Sequence, residues 1–164
     1  TLIAARDALG VRRHLFFAAM GGYDTHASQR GELWARYDEL GPALAAFQRA
    51  LDALGVGGQV TTFTLSDFNR TFRVNANAGT DHAWGGHQLV IGGAVKGGTF
   101  YGTFPTLVVG GPDDAGGEGQ WIPTTSLDQV GATLARWFGV PAPELAQVFP
   151  NLGAFAAQDL GFLA

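Results

Sequence analysis

The sequence predicts an α/β fold with a mainly parallel sheet, and three stretches carry that reading. RRHLFFAAM, residues 12–20, is a short apolar run with aromatics, bounded by glycine, as in a buried strand. Glu32 to Leu54 places Leu33, Tyr37, Leu40, Leu44, Phe47, Leu51 and Leu54 three or four apart, the spacing of one helical face. QVTTFTLSD, residues 59–67, is β-branched and aromatic and reads as a second strand. Strand, helix and strand in that order imply a right-handed crossover and parallel pairing.

The remaining elements follow along the chain. Residues 2–9 read as a helix stopped by Gly10. The chain begins at Thr1 inside that pattern, so it is expected to be the C-terminal part of a longer protein; a trimmed form of a complete domain is the alternative. GGYDTH, residues 21–26, lies on the loop after the first strand. Gly41-Pro42 is a place for the long helix to kink or split, and residues 55–58 close it. Residues 69–87 have no periodicity, and a loop of that length in a small domain is often functional. QLVIGG, residues 88–93, reads as a short strand. GTFYG and TLVVGG read as two more, separated by Pro105. GPDDAGGEGQ, residues 111–120, is acidic and glycine-rich, but its spacing fits no EF-hand, so a solvated turn is expected. A helix starts at Ser126, which forms a capping box with Gln129. Leu127, Val130, Leu134 and Phe138 are its apolar stripe and Gly139 its end. Residues 141–149 read as a short helix, and the apolar tail after Pro150 is expected to pack. No internal repeat interrupts a single domain of residues 1–164.

Composition removes several function classes. At 46% hydrophobic and 15% charged residues the chain is globular rather than disordered. Its net charge is −4 and its ten basic residues are scattered, so no nucleic-acid partner is expected. No apolar run approaches the roughly eighteen residues of a membrane span. Without cysteine, neither disulfides nor thiolate metal ligands are available. Its 25 glycines suit a site built from loops.

The chemistry concentrates in those loops. In open α/β sheets ligands bind beyond the carboxyl ends of strands, where Asp24, His26 and Asp67 would share an edge. Asp24 and His26 are two residues apart, which puts their side chains on the same side of extended chain. Asp81 and His82 are adjacent, and His87 follows across Gly85-Gly86. Imidazole and carboxylate together suit zinc, manganese or iron, and calcium less well. Each residue alone also has a plain reading: Asp24 as a turn residue, Asp67 as a cap on FNRTF, a histidine as a hydrogen-bonded structural group. His14, inside the apolar run, is read as structural. Arg70 and Arg73 follow Asp67. An arginine there could fork onto phosphate or sulfate oxygens or pair with one of the carboxylates, and both readings stand. Trp84 walls a pocket or anchors its loop, and Lys96 sits in a solvated turn.

GGYDTHASQ, VTTFTLSDFNRT, GTDHAWGGHQLVIGGAVKGGTFYGTFP and IPTTSLDQVGATLARWFGV…VFPNL, in that order, resemble the C-terminal half of the DUF1501 family, a bacterial family of the alkaline phosphatase/sulfatase-like superfamily. The resemblance implies a three-layer α/β/α sandwich with a mainly parallel sheet and a metal-supported site at the strand ends. It implies that Asp24, His26 and His82 hold a divalent metal, with His87 competing for the third place. Zinc is expected first, with manganese, iron or calcium as alternatives. A second ion in the superfamily takes an Asp-His pair. Asp67 stands at that place, but Phe68 after it cannot ligate. Family chains commonly read S-D/E-F-G-R and D-H-G-W-G, where this chain has Asn69 and Ala83. The implied activity is hydrolysis of an anionic phosphate or sulfate ester, with Arg70 as a catalytic residue balancing charge. The nucleophile is expected from the missing N-terminal half or a second chain, because Ser28 and Ser66 do not match its motif. The parent protein is expected to be bacterial and exported by a twin-arginine signal. The competing expectations are a non-catalytic binding or assembly module that keeps the fold, and a site that holds one purely structural ion.

Overall fold

The structure, a computed structural model, describes residues 2–164. Among them the chain is mixed α and β, with helices set beside two small antiparallel sheets. Helix α1 is Arg6–Leu9, ended by Gly10 at a φ of 62°, a left-handed turn that glycine adopts without strain. It is shorter than the expected 2–9 helix, whose first residues form turns.

Residues 12–20 form no strand. Leu15, Phe16 and Phe17 are 81%, 52% and 94% exposed. The buried strand expected there is therefore not formed: apolar and aromatic residues favour a strand, but these make no β-pairing with any of the described residues. Helix α2, Gln29–Ala53, begins three residues earlier than expected and runs unbroken through Pro42. Only Leu51 of its apolar stripe is buried, while Trp34 and Tyr37 are largely exposed.

Strand β1, Thr61–Phe63, pairs with β4, Val90–Gly92, in the register Thr61↔Gly92, Thr62↔Ile91 and Phe63↔Val90. Strand β2, Asn69–Arg70, pairs with β3, His82–Ala83. Both ladders are antiparallel, which corrects the expected mainly parallel sheet. The crossover rule needs two strands in one sheet. With residues 12–20 unpaired, β1 takes the downstream strand instead. The expected aperiodic loop 69–87 contains β2 and β3, whereas GTFYG and TLVVGG form no strands.

The C-terminal part follows its capping signals closely, but the expected apolar stripe is not its buried face: Gln129, Ala132 and Thr133 are buried, and Leu127 is 60% exposed. Helix α3, Leu127–Phe138, has both hydrogen bonds of the Ser126–Gln129 capping box and ends at Gly139 with a φ of 102°. A 3-10 turn, Ala142–Glu144, leads into α4, Leu145–Val148. Ala132, Leu145 and Leu152 form a buried cluster, with Ala135, Val140 and Phe149 packed against it. The tail does pack: Phe162 is buried, its carbonyl accepts from Lys96 N–H, and Leu163 bridges Val95. The acidic loop 111–120 is organised by Asp114, whose carboxylate accepts from the backbone N–H groups of Gly110, Gly116, Gly117, Gly119 and Gln120. Those bonds, Gly110's foremost, hold its carboxyl far below the usual carboxylate range. No described helix is long and apolar enough to cross a membrane.

Candidate metal centre

Three pieces of backbone assemble the centre: residues 23–28, β2 and β3. The first lies against the turn at 75–80. Thr80 N–H donates to Thr25 O (3.2 Å), Ser28 N–H to Asn77 O (3.1 Å) and Gln29 N–H to Ala78 O (3.0 Å). Gly79 permits the approach, since a Cβ there would collide with the His26 backbone. Thr25 points inward and is 5% exposed, while Asp24 and His26 on either side of it are exposed. The D-x-H pair therefore does share one side. In the second ladder Arg70 stands opposite His82, and Asn69 opposite Ala83. That register delivers His82 and Arg70 to the same place.

Asp24 Oδ1 lies 3.0 Å from His26 Nε2 and 3.0 Å from His82 Nε2, and the two Nε2 atoms are 3.2 Å apart. Three donor atoms in a triangle of this size can hold a metal ion. A tetrahedral centre with bonds of about 2.0–2.1 Å spaces its ligand atoms about 3.3 Å apart, so little movement is needed. Two imidazole nitrogens facing each other at this distance also share no good hydrogen bond unless one is protonated, a situation an ion would relieve. The Asp24, His26 and His82 side chains are 55%, 48% and 51% exposed, which leaves an open side for water or a ligand.

Arg70 closes one flank. Its Nη1 donates to Asp24 Oδ1 (2.7 Å), its Nε to Thr80 Oγ1 (3.0 Å), and its Nη2 to the Thr80 carbonyl. The pairing with a carboxylate is thus the arrangement seen, in a side chain only 12% exposed. His82 first, then Arg70 and His26, stabilise the Asp24 carboxylate and lower its pKa. On the other flank Asp81 Oδ1 lies 3.1 Å from His26 Nδ1. Bonds from Asn75 and from His26 lower the Asp81 pKa. The His82 ring stacks on Phe68, with centroids 3.8 Å apart and planes 9° apart.

Asp67 and His87 lie outside the triangle. Asp67 is exposed. His87 stacks on Phe104 (5.0 Å, 26°) and meets Phe100 edge-on (5.9 Å) in a cleft of about 340 Å³ that Arg70 also borders. Of the two histidines competing for the third place, His82 is the one brought to Asp24 and His26. Trp84 is 66% exposed, and His14 meets Phe16 edge-on. The sequence pairs Asp81 with its neighbour His82, yet its partner is His26, 55 residues away. Asn75, in an aperiodic stretch, gave no signal at all.

The family model described as a protein of unknown function (DUF1501) matches residues 1–114. The chain belongs to the DUF1501 family. No curated protein and no solved structure matches it. The family match contains Asp24, His26, Asp67, Arg70, His82 and His87 and stops short of the IPTTS…VFPNL block, so the resemblance reaches less far than the motifs suggested. The two positions expected to be glycine in the family, Asn69 and Ala83, face each other in the β2–β3 ladder. Ala83 is buried there, and Asn69 occupies the space where a Cβ on Gly86 would sit.

Proposed function

We propose that this chain carries the metal ligands of a metal-dependent hydrolase of phosphate or sulfate esters. In this reading it is the C-terminal portion of an alkaline phosphatase/sulfatase-like, three-layer domain whose nucleophile comes from another segment or chain. The unpaired apolar residues 12–20 and the exposed face of α2 are surfaces that such a larger domain would cover. The parent protein is bacterial and exported.

The observation that carries the proposal is the triangle of Asp24 Oδ1, His26 Nε2 and His82 Nε2, with edges of 3.0–3.2 Å. Two imidazoles and one carboxylate suit zinc first, then manganese or iron. Calcium prefers six to eight oxygen ligands and suits them less. A bound divalent ion supplies Lewis acidity toward an ester oxygen. The chain's own groups set the charge. Asp24 and Asp81 against Arg70 leave one negative charge, which a divalent ion turns into one positive charge. An anionic ester matches a site of that sign. Arg70, tied to Thr80 and Asp24, balances charge and holds Asp24 in place.

A second reading is favoured by Phe68. It stacks on His82 where a second ligand would be expected, and Asp67 stays outside the triangle. The chain would then be a metal-holding module without chemistry. Assays of the complete protein on p-nitrophenyl phosphate and p-nitrophenyl sulfate separate the two. Turnover that chelator abolishes and zinc restores supports the hydrolase. Metal bound without turnover on either ester supports the module, and a metal-free protein overturns both.

A further inference from the structure

We propose that Asp81, steered by Asn75, presets His26 as a metal ligand by fixing its tautomer. The proposal rests on reading the centre as a metal site, but its decisive measurement does not require metal.

A neutral imidazole carries one N–H and one lone pair. The two His26 nitrogens face different surroundings. Nε2 points at Asp24 Oδ1 (3.0 Å) and His82 Nε2 (3.2 Å), whereas Nδ1 points at Asp81 Oδ1 (3.1 Å). An ionised carboxylate only accepts hydrogen bonds. With the proton on Nδ1, His26 donates to Asp81; its Nε2 lone pair, although 3.0 Å from Asp24 Oδ1, has its hydrogen-bond partner in His82 Nε2 (3.2 Å), which carries a proton it can share with Asp24 Oδ1 (3.0 Å) until an ion replaces it. With the proton on Nε2, the Nδ1 lone pair would face a carboxylate oxygen at hydrogen-bond distance, which is repulsive.

Asp81 is itself held. Asn75 Nδ2 donates to Asp81 Oδ1 (3.2 Å) and to the His26 carbonyl (3.1 Å). The orientation of the Asn75 amide is fixed by its other end, where Oδ1 accepts from Asn77 N–H (3.0 Å) and Gly79 N–H (3.0 Å). A flipped amide would break all four bonds. The Asp81 backbone is tied on both sides to buried Thr71: its N–H donates to Thr71 Oγ1 (3.0 Å) and its carbonyl accepts from Thr71 N–H (2.8 Å). The orienting path therefore runs from backbone N–H groups through Asn75 and Asp81 to His26.

His82 is oriented differently. The Phe68 stack fixes its ring plane, and a stacked face does not choose which nitrogen carries the proton. The centre is thus asymmetric: His26 is set before any ion arrives, and His82 adjusts to it. An outer carboxylate on a ligating histidine makes the ring more basic and fixes its orientation, and its loss typically weakens metal binding about 10–100-fold.

Long-range proton–nitrogen NMR of ¹⁵N-labelled protein at pH 8, free of metal, reads the tautomer directly. Wild type is expected to show His26 protonated at Nδ1. Asp81→Ala should move it toward Nε2 protonation. Asp81→Asn should keep the wild-type pattern, because the donors of Asn75 and His26 both select the amide oxygen. Asn75→Ala should give an intermediate pattern and covers the case where Asp81→Ala fails to fold. Zinc competition against a chromophoric chelator should then show affinity about 10–100-fold weaker in Asp81→Ala and near wild type in Asp81→Asn. Nε2-protonated His26 in wild type, or a pattern unchanged by both Asp81→Ala and Asn75→Ala, overturns the proposal. A wild type with the Nδ1 pattern and no zinc affinity would sink the metal reading while leaving the positioning role of Asp81 standing.

Discussion

Ala132, Leu145 and Leu152 are at most 3% exposed around α3 and α4, whereas Asp24, His26 and His82 each keep about half of their side chain in solvent. The first region is held by apolar burial, a capping box and a left-handed glycine, all within some thirty residues of chain. The second is held mainly by hydrogen bonds and charges between residues 46 to 58 apart in sequence. The scaffold and the centre answer to different forces. Each should be breakable without the other.

The largest effect should come from the scaffold. Leu145→Ala leaves a cavity in the buried cluster and should cost about 2–5 kcal/mol in urea unfolding. The zinc affinity of the molecules that remain folded should not change. The complementary break is His82→Ala. Zinc at 100 times its dissociation constant should stabilise wild type by about 2.7 kcal/mol. The variant should lose that gain and unfold like metal-free wild type, within about 0.5 kcal/mol. A smaller effect is expected from Ser126→Ala, which removes half of the capping box and should cost about 1 kcal/mol without moving zinc affinity.

Acid sharpens the contrast further. The carboxyls of Asp24, Asp81 and Asp114 are lowered in the folded chain from an ordinary value of 3.8. The unfolded chain therefore takes up protons first as pH falls. Their stabilisation is in place above about pH 4 and is lost as the pH drops through 3.8 toward the lowered folded values. Urea midpoints measured from pH 6 down to pH 3 should fall, and Asp114→Asn should flatten that fall. Zinc should leave at higher pH than the scaffold fails, because protons compete for the imidazole nitrogens.

How much could be read beforehand follows the same division. The α3 boundaries were legible because Ser126, Gln129 and Gly139 act on their own neighbours. Helix α2 was legible from its period, though not the exposure of its stripe, which depends on what packs against it. The run 12–20 has the residues of a strand, but pairing is a property of two segments, and none of the described residues pairs with it. The antiparallel choice of β1 for β4 is likewise nonlocal. In the centre, the D-x-H spacing showed that Asp24 and His26 share a side. It could not separate His82 from His87, since both sit in one glycine-rich stretch, and the β2–β3 register decides between them. Asp67 looked equivalent to Asp24 as an acid next to a strand and is not in the triangle. Asp81 was visible only as a neighbour of His82.

Everything proposed for the centre requires Asp24, His26 and His82 to hold one ion together. Equilibrium dialysis against zinc at neutral pH, with elemental analysis of the protein, tests it most directly. One saturable ion per wild-type chain is expected, lost in Asp24→Ala, His26→Ala and His82→Ala and retained in Asp67→Ala and His87→Ala. Wild type without saturable binding, or His82→Ala that binds while His87→Ala does not, would contradict it.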